Sequence, residues 1–148
     1  MIEGREVRLE VWDTSGQERY RTVTKSYFDR AMGVVLVYDC TDERSFSDIR
    51  NWVKQLENHA REDIARILVS NKTDLAERKI DADTGKALAE ELNMDFIEAS
   101  AKLNVNVDKA FNTIAQQILK KDMPGPEKPG ATTLKKSGVP KATKPGCC

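Results

Sequence analysis

The apolar residues of this chain fall into short continuous runs that alternate with helical repeats. Continuous runs over residues 33–39, 65–70 and 94–98 are typical of strands buried in a parallel sheet. Between and after these runs, apolar residues recur at spacings of three and four, the period of an amphipathic helix. The repeats comprise Phe46, Ile49, Val53 and Leu56, then Leu88 and Leu92, then Val107, Phe111, Ile114 and Ile118. This alternation predicts an α/β fold with right-handed crossovers and a parallel sheet.

One further segment predicts a strand of a different kind. Residues 6–12 alternate strictly between polar and apolar positions, as expected for a strand with one exposed face. Glu3-Gly4, just before this segment, is compatible with a hairpin turn. Met1-Ile2 would then be the end of a partner strand.

Composition separates the last 27 residues from the rest. All five prolines lie in residues 122–148, together with five lysines and only two acidic residues. A segment with so few large apolar residues cannot bury enough surface to fold, so we expect a disordered tail at 122–148. Residues 1–121 would form the globular part. Over the whole chain, 24 basic and 24 acidic residues balance, which gives no indication of nucleic-acid binding.

The chain shows no signal-peptide pattern and no apolar run long enough to span a bilayer. Cys40 is the only cysteine outside the tail, and it lies at the end of an apolar run. We expect Cys40 to be a buried, inert thiol. The absence of a disulfide framework predicts a reducing compartment.

The apolar run at 65–70 ends abruptly in the polar loop Asn71-Lys72-Thr73-Asp74. Ligands of open α/β sheets bind beyond the carboxyl ends of the strands, where this loop stands. The Asp74 carboxylate could accept the two parallel N–H groups of guanine, a pair that adenine lacks. Asn71 can donate and accept, and the Lys72 stem can cover a base plane. On their own, these four residues fit a simple polar loop better than a ligand site.

Residues 12–18 follow the alternating segment and carry a second candidate chemistry. Asp13 at a strand end can hold a water of a Mg²⁺ shell, because that ion prefers oxygen ligands and keeps several waters. Gly16 lets the backbone N–H approach a terminal phosphate. Gln17 can orient a water with its donor and acceptor together. Taken alone, this segment fits an ordinary glycine-containing turn equally well.

A third loop, residues 98–102, has small residues through which a backbone N–H could reach a base oxygen, and Lys102 could stack on the base. The order and spacing of the three loops, each after a predicted strand, resemble those of the Ras superfamily of small GTPases. The run WDTSGQERYRT at residues 12–22 and the terminal pair Cys147-Cys148 resemble the Rab family in particular. The resemblance covers residues 1–121 and the C-terminus.

The resemblance implies an incomplete Ras-like G domain of the P-loop NTPase type, with a mostly parallel sheet, helices on both faces and the first strand missing. It implies GTP or GDP and Mg²⁺ as ligands. The nucleotide-binding residues it assigns are Asp13, Gly16, Asn71, Lys72, Asp74, Ser100, Ala101 and Lys102. Asp13 would bind Mg²⁺ through water, and Gln17 would position the hydrolytic water. The segment that responds to the nucleotide, switch II, would run from about Asp13 to Arg30.

The phosphate-binding motif of the family, Gly-x-x-x-x-Gly-Lys-Ser/Thr, does not occur in the 148 residues. The only Gly-Lys pair, Gly85-Lys86, is followed by Ala87 and is predicted to lie on a helix surface. The switch I threonine and the strand before the phosphate loop are also missing. We therefore expect a chain that begins partway into the domain, binds nucleotide and Mg²⁺ weakly or not at all, and hydrolyses GTP negligibly.

Cys147 and Cys148 end the chain without forming a C-a-a-X box, and they resemble the Rab signal for two geranylgeranyl groups. Two lipids would anchor the chain stably to the cytoplasmic face of an intracellular membrane, alongside a cytosolic pool. Partners implied by the resemblance are a prenylation escort, a GDP-dissociation inhibitor, exchange factors, GTPase-activating proteins and effectors. Two functions stay open: a Rab-like GTPase of vesicle traffic, or a non-enzymatic prenylated remnant that cannot cycle.

Overall fold

The computed structural model describes Ile2, Gly4, residues 6–14, Phe28 and residues 30–121. In this part of the chain, strands and helices alternate, as the hydrophobic pattern predicts. The strands are β1 at Gly33–Asp39, β2 at Ala65–Asn71 and β3 at Asp95–Glu98. The helices are α1 at Glu43–His59, α2 at Ala82–Glu91 and α3 at Val107–Lys120. All three apolar runs are therefore confirmed as strands, within one residue at their ends.

The strands form a parallel sheet in the order β1-β2-β3. Its register pairs Asp39 with Asn71, and Ser70 with Glu98, so the three strands end at nearly the same level. Because the strands are parallel, their carboxyl ends meet at one edge of the sheet. This edge carries the candidate site.

Helices cover both faces of the sheet, as the resemblance implied. On one face, α1 and α2 pack against alternate residues of β1 and β2, represented by Leu36, Tyr38 and Leu68. On the other face, Ala110 and Ile114 of α3 pack against the core that β2 and β3 share. Right-handed crossovers between neighbouring strands place α1 and α2 on the same side, whereas α3 returns along the opposite side. Each large aliphatic side chain buried in this way contributes about 1.5–3 kcal/mol.

Aspartates begin α1 and α2. The side chain of Asp42 accepts a hydrogen bond from the Arg44 N–H, and that of Asp81 accepts one from the Thr84 N–H at 2.7 Å. Both satisfy a backbone donor that the first helical turn leaves open. Helix α3 begins differently. Asn106, the residue just before it, has a φ of 57°, and its side chain makes no capping hydrogen bond.

Two sequence-based predictions are wrong. Residues 6–12 have no regular secondary structure, and Leu9 and Val11 are exposed. A strand needs a neighbour for its backbone groups, and among the described residues the sheet ends at β1. Gly85 is buried rather than on the helix surface, because it faces Tyr38 of β1 and Phe96 of β3, whereas Lys86 is exposed.

Several predicted features fall outside the described residues. These are Gly16, Gln17, Cys147 and Cys148, with the whole 122–148 segment and most of the expected switch II. The helices of the described part are all too short or too polar to cross a membrane.

Candidate functional site

Two loops meet at the carboxyl edge of the sheet. The NKTD loop, residues 71–74, begins at the last residue of β2, and the SAK loop, residues 100–102, follows β3. Between them lies a cavity of about 220 Å³. The residues that line it are Asn71, Lys72, Asp74, Leu75, Ala101 and Lys102. Five of these six are residues that the sequence assigns to a nucleotide site, although the two loops are more than 25 residues apart in the chain.

Hydrogen bonds between the loops fix their relative position. The N–H and the hydroxyl of Thr73 both donate to the Ala99 carbonyl, at 3.2 and 3.0 Å. The N–H of Ala101 donates to Asn71 Oδ1 at 3.0 Å. Because that bond holds the amide oxygen of Asn71, its Nδ2 amine is the group that can donate to a ligand. The sequence predicts that a backbone N–H of the SAK loop reaches a base oxygen, but the Ala101 N–H is hydrogen-bonded to Asn71 instead.

Ser100 orients the carboxylate of Asp74. The Ser100 side chain is 1% exposed and lies behind the cavity rather than in its wall. Its hydroxyl donates to Asp74 Oδ1 at 2.6 Å and accepts from the Leu103 N–H at 3.1 Å. This hydrogen bond, helped by the charges of Lys102 and Lys72, lowers the pKa of Asp74 below its ordinary value. Asp74 is therefore anionic at neutral pH, with Oδ2 open to accept from a ligand.

Lys72 has an unusual backbone conformation and a fixed side chain. Its φ of 64° lies in the left-handed region, which costs a non-glycine residue about 1 kcal/mol or more. The carbonyl of Lys72 accepts from Cys40 Sγ at 3.4 Å, and its Nζ pairs with Asp39 Oδ2 at 2.5 Å. The hydrogen bond to Asp39 raises the pKa of Lys72. These contacts hold the Lys72 stem along the wall of the cavity.

Asp39, at the end of β1, is a site residue that sequence reasoning missed. Its Oδ1 accepts from the Thr41 N–H at 2.8 Å and from the Thr41 hydroxyl at 2.7 Å, and its Oδ2 bonds Lys72. Partial burial raises the pKa of Asp39, but the bonds from Lys72 and Thr41 outweigh it and lower that pKa overall. The strand register could have indicated this role, because Asp39 ends β1 opposite Asn71, the first residue of the NKTD loop.

The structure does not bring Asp13 to this cavity. Asp13 is exposed and lies in the segment 6–14, which has no regular secondary structure. Within the described part of the chain, no three His, Cys, Asp or Glu side chains gather so as to hold a metal ion. The described residues therefore do not assemble a Mg²⁺ site. Gly16 and Gln17 lie outside the described residues.

Comparison with known proteins identifies the family. The model of the Ras family matches residues 1–120. Ras-related protein Rab-8B of Dictyostelium discoideum is 44% identical over 148 residues, which cover 99% of this chain and 71% of that protein. GTP-binding protein ypt2 of Schizosaccharomyces pombe is 48% identical over 120 residues, 80% of this chain and 60% of that protein. Ras-related protein SEC4 of Saccharomyces cerevisiae is 49% identical over 120 residues, 81% of this chain and 56% of that protein.

The parallel sheet, the paired loops at its carboxyl edge and the family match define the class: this chain belongs to the Ras family of small GTPases. Within that family it is a Rab-like small GTPase, the group that regulates intracellular vesicle traffic. As a class, these proteins bind guanine nucleotide and Mg²⁺, act with regulators and effectors, and associate with intracellular membranes. The chain spans from 56% to 71% of the length of the three relatives named above.

Proposed function

We propose that the cavity between the NKTD and SAK loops recognises the guanine base of GTP or GDP. The observation that carries this proposal is that Asn71 and Asp74 line one cavity with their polar groups oriented by bonds from the other loop. A preoriented site costs little ordering free energy when a ligand binds.

The chemistry of the two side chains selects guanine over adenine. The Asp74 carboxylate accepts the ring N–H and the exocyclic amine of guanine, and its lowered pKa keeps it ready to do so. The Nδ2 amine of Asn71 donates to an acceptor on the opposite edge of the base. Adenine has an acceptor nitrogen in place of the guanine ring N–H, so binding it would leave the Asp74 charge unpaired. The stems of Lys72 and Lys102 cover the two faces of the base.

Nucleotide affinity in the 148-residue chain is proposed to be weak. The sequence contains no phosphate-loop motif, so the chain supplies neither the nest of backbone N–H groups nor the lysine that hold the phosphates in the family. By resemblance, Gly16 would contact the γ-phosphate, Gln17 would position water, and Asp13 would bind Mg²⁺ through water. Without the phosphate loop these residues have no bound triphosphate to act on, so hydrolysis should be negligible.

The missing motif also favours a second candidate function, that of a prenylated interaction module without a nucleotide cycle. In both candidates, Cys147 and Cys148, at the end of the 122–148 tail, carry geranylgeranyl groups. The tail would hold residues 1–121 at the cytoplasmic face of an intracellular membrane, with a cytosolic pool held by a GDP-dissociation inhibitor. A prenylation escort, exchange factors, GTPase-activating proteins and effectors are the proposed partners.

A thermal melt of the chain with and without GDP and Mg²⁺ tests the base site, because a ligand that binds only the folded state raises the melting midpoint. With a dissociation constant on the order of 1 mM, ~5 mM GDP adds about 1 kcal/mol. That free energy corresponds to a shift of roughly 3–6 °C for a domain of this size. ADP at the same concentration should give no shift.

Asp74→Ala should abolish the GDP shift, whereas Glu57→Ala, which removes the same charge from an exposed position of α1, should retain it. Equal shifts with GDP and ADP would contradict guanine recognition. A separate assay of phosphate release tests turnover: the proposal expects no release above the buffer rate. Sustained multiple turnover would show that the chain is a working GTPase and would remove the second candidate.

A further inference from the structure

A second cavity lies at the edge of the sheet opposite the NKTD and SAK loops. Its volume is about 330 Å³, larger than that of the cavity between those loops. Its walls come from the start of β2, the residues before β3 and the end of α3, so it lies at the amino ends of the strands. The residues that line it are Glu62, Ile64, Arg66, Asn93, Gln117 and Lys121.

Hydrogen bonds fix the walls of this amino-edge cavity. Lys121 Nζ donates to the carbonyls of Asp63 and Ile64, at 2.8 and 3.4 Å, which ties the end of α3 to the segment before β2. Gln117 Nε2 donates to Asp95 Oδ2 at 2.7 Å, which ties α3 to β3. Because this bond uses the amine of Gln117, its Oε1 is the atom that can accept from a ligand. A cavity held in this way costs little ordering free energy when a ligand binds.

Two opposite charges line the cavity without pairing. Among the described residues, neither the Glu62 carboxylate nor the Arg66 guanidinium forms an ion pair or a side-chain hydrogen bond. The neighbouring Arg61 and Asp63, by contrast, pair with each other at 3.3 Å. Arg66 is partly buried, so its charge has lost some of its water without gaining a partner. A ligand that pairs with both charges would replace what was lost.

We propose that the amino-edge cavity binds a small zwitterion, a molecule with one carboxylate and one ammonium group, of the amino-acid class. The Arg66 guanidinium can donate two parallel N–H bonds to the carboxylate. The Glu62 carboxylate and Gln117 Oε1 can accept from the ammonium, which has three donors. With Lys121, two cations and one anion line the cavity, so the carboxylate should contribute more to affinity than the ammonium.

The mixture of charges also selects against ligands with a single charge. A plain carboxylate would place its charge near Glu62, and a plain amine would place its charge near Arg66 and Lys121; like charges brought together disfavour binding. The proposal does not depend on recognition of guanine, because the two cavities share no lining residue and lie at opposite edges of the sheet.

Titration of the ¹⁵N-labelled full chain with glycine, γ-aminobutyrate and ε-aminocaproate tests the proposal over a range of separations between the two charges. At least one of these should shift the side-chain amide signals of Asn93 and Gln117 and leave that of Asn71 unchanged. For so small a ligand, we expect a dissociation constant on the order of 1 mM. The carboxylic acid and the amine of matching length each carry one of the two charges and should bind at least ~10-fold more weakly.

Two variants assign the charges. Glu62→Gln neutralises an exposed side chain, so it should weaken the zwitterion about 10-fold without weakening the plain carboxylic acid. Arg66→Gln should weaken both ligands, and its melting midpoint shows whether the fold is kept. Glu57→Gln and Arg44→Gln make the same changes at exposed positions of α1 and should bind like the wild type.

Three results would overturn the proposal. The first is that none of the three probes shifts the signals of Asn93 and Gln117 at ~20 mM, well above the expected dissociation constant. The second is that the matching carboxylic acid binds as tightly as the zwitterion, because the cavity would then hold a simple anion. The third is that Glu62→Gln and Arg66→Gln both bind the zwitterion like the wild type.

Discussion

Replacing Gly85 by alanine should destabilise the domain, although alanine is the better helix former. A Cβ built on Gly85 would lie 2.3 Å from Tyr38 Oη and 2.8 Å from Phe96 Cζ, where ordinary contacts are 3.4–4 Å. Tyr38 is 1% exposed, so its ring has no open space to enter. Helix α2 must therefore shift away from the sheet or the ring must leave its preferred position.

The magnitude follows from two opposing effects. Overpacking of a filled core costs about 1–3 kcal/mol, and the severe overlap at Tyr38 places this site near the upper end. Alanine recovers about 1 kcal/mol of helix stability relative to glycine. The free energy of unfolding of Gly85→Ala should thus fall by about 1–2 kcal/mol, measured by urea denaturation monitored by circular dichroism.

Two controls separate packing from helix propensity. Ala87→Gly changes an exposed position of α2, so it should cost about 1 kcal/mol through propensity alone. Adding Tyr38→Phe to Gly85→Ala removes the atom with the closest contact and should restore part of the loss. The Tyr38 hydroxyl makes no hydrogen bond of ordinary geometry with the described residues, so Tyr38→Phe alone should cost little. A Gly85→Ala protein more stable than the wild type would refute the reasoning.

Two further predictions concern the site and the core. The hydrogen bond from the Ser100 hydroxyl lowers the pKa of Asp74. The Asp74 carboxylate therefore contributes fully to folding and to base binding above its ordinary pKa of 3.8. This contribution is lost only when the pH falls through the lowered pKa of the folded state. Ser100→Ala should move this acid-induced loss of stability to higher pH, which melting temperatures measured between pH 2 and pH 6 would show. A melting temperature that falls over the same pH range as in the wild type would contradict this prediction. Burial raises the pKa of Cys40 and encloses its thiol, so in a Cys147→Ser, Cys148→Ser chain a thiol reagent should react with Cys40 only after unfolding. Rapid labelling of that chain in native buffer would contradict it.

The sequence predicts the regular elements well where burial is complete. The apolar runs became strands because both faces of the sheet are covered, and the repeat with Ile49 and Val53 became α1 because those residues pack on it. The strand prediction for residues 6–12 failed because an alternating pattern shows which side chains would be buried but not whether a partner strand is present. The prediction for Gly85 failed because a missing side chain hides which face of the helix is buried.

The candidate site likewise has some features that the sequence predicts and others that only the folded structure shows. Its position and five of its lining residues follow from polar loops at strand ends and from the family resemblance. The role of Asp39 depends on strand register, which no local pattern contains. Ser100 is also placed differently from expectation, because its hydroxyl bonds Asp74 from behind the cavity. Contacts between loops distant in the chain arise only when the sheet forms.

Titration of the ¹⁵N-labelled chain with guanosine, which has no phosphates, tests the base site most directly. Guanosine should shift the backbone amide signal of Ala101 and the side-chain amide signal of Asn71, while adenosine should leave both unchanged. The dissociation constant of GDP should lie within about tenfold of that of guanosine, a difference below about 1.4 kcal/mol, because the 148 residues contain no phosphate-loop motif to add affinity. Equal responses to guanosine and adenosine, or none at Asn71 and Ala101 at the solubility limit, would contradict the account.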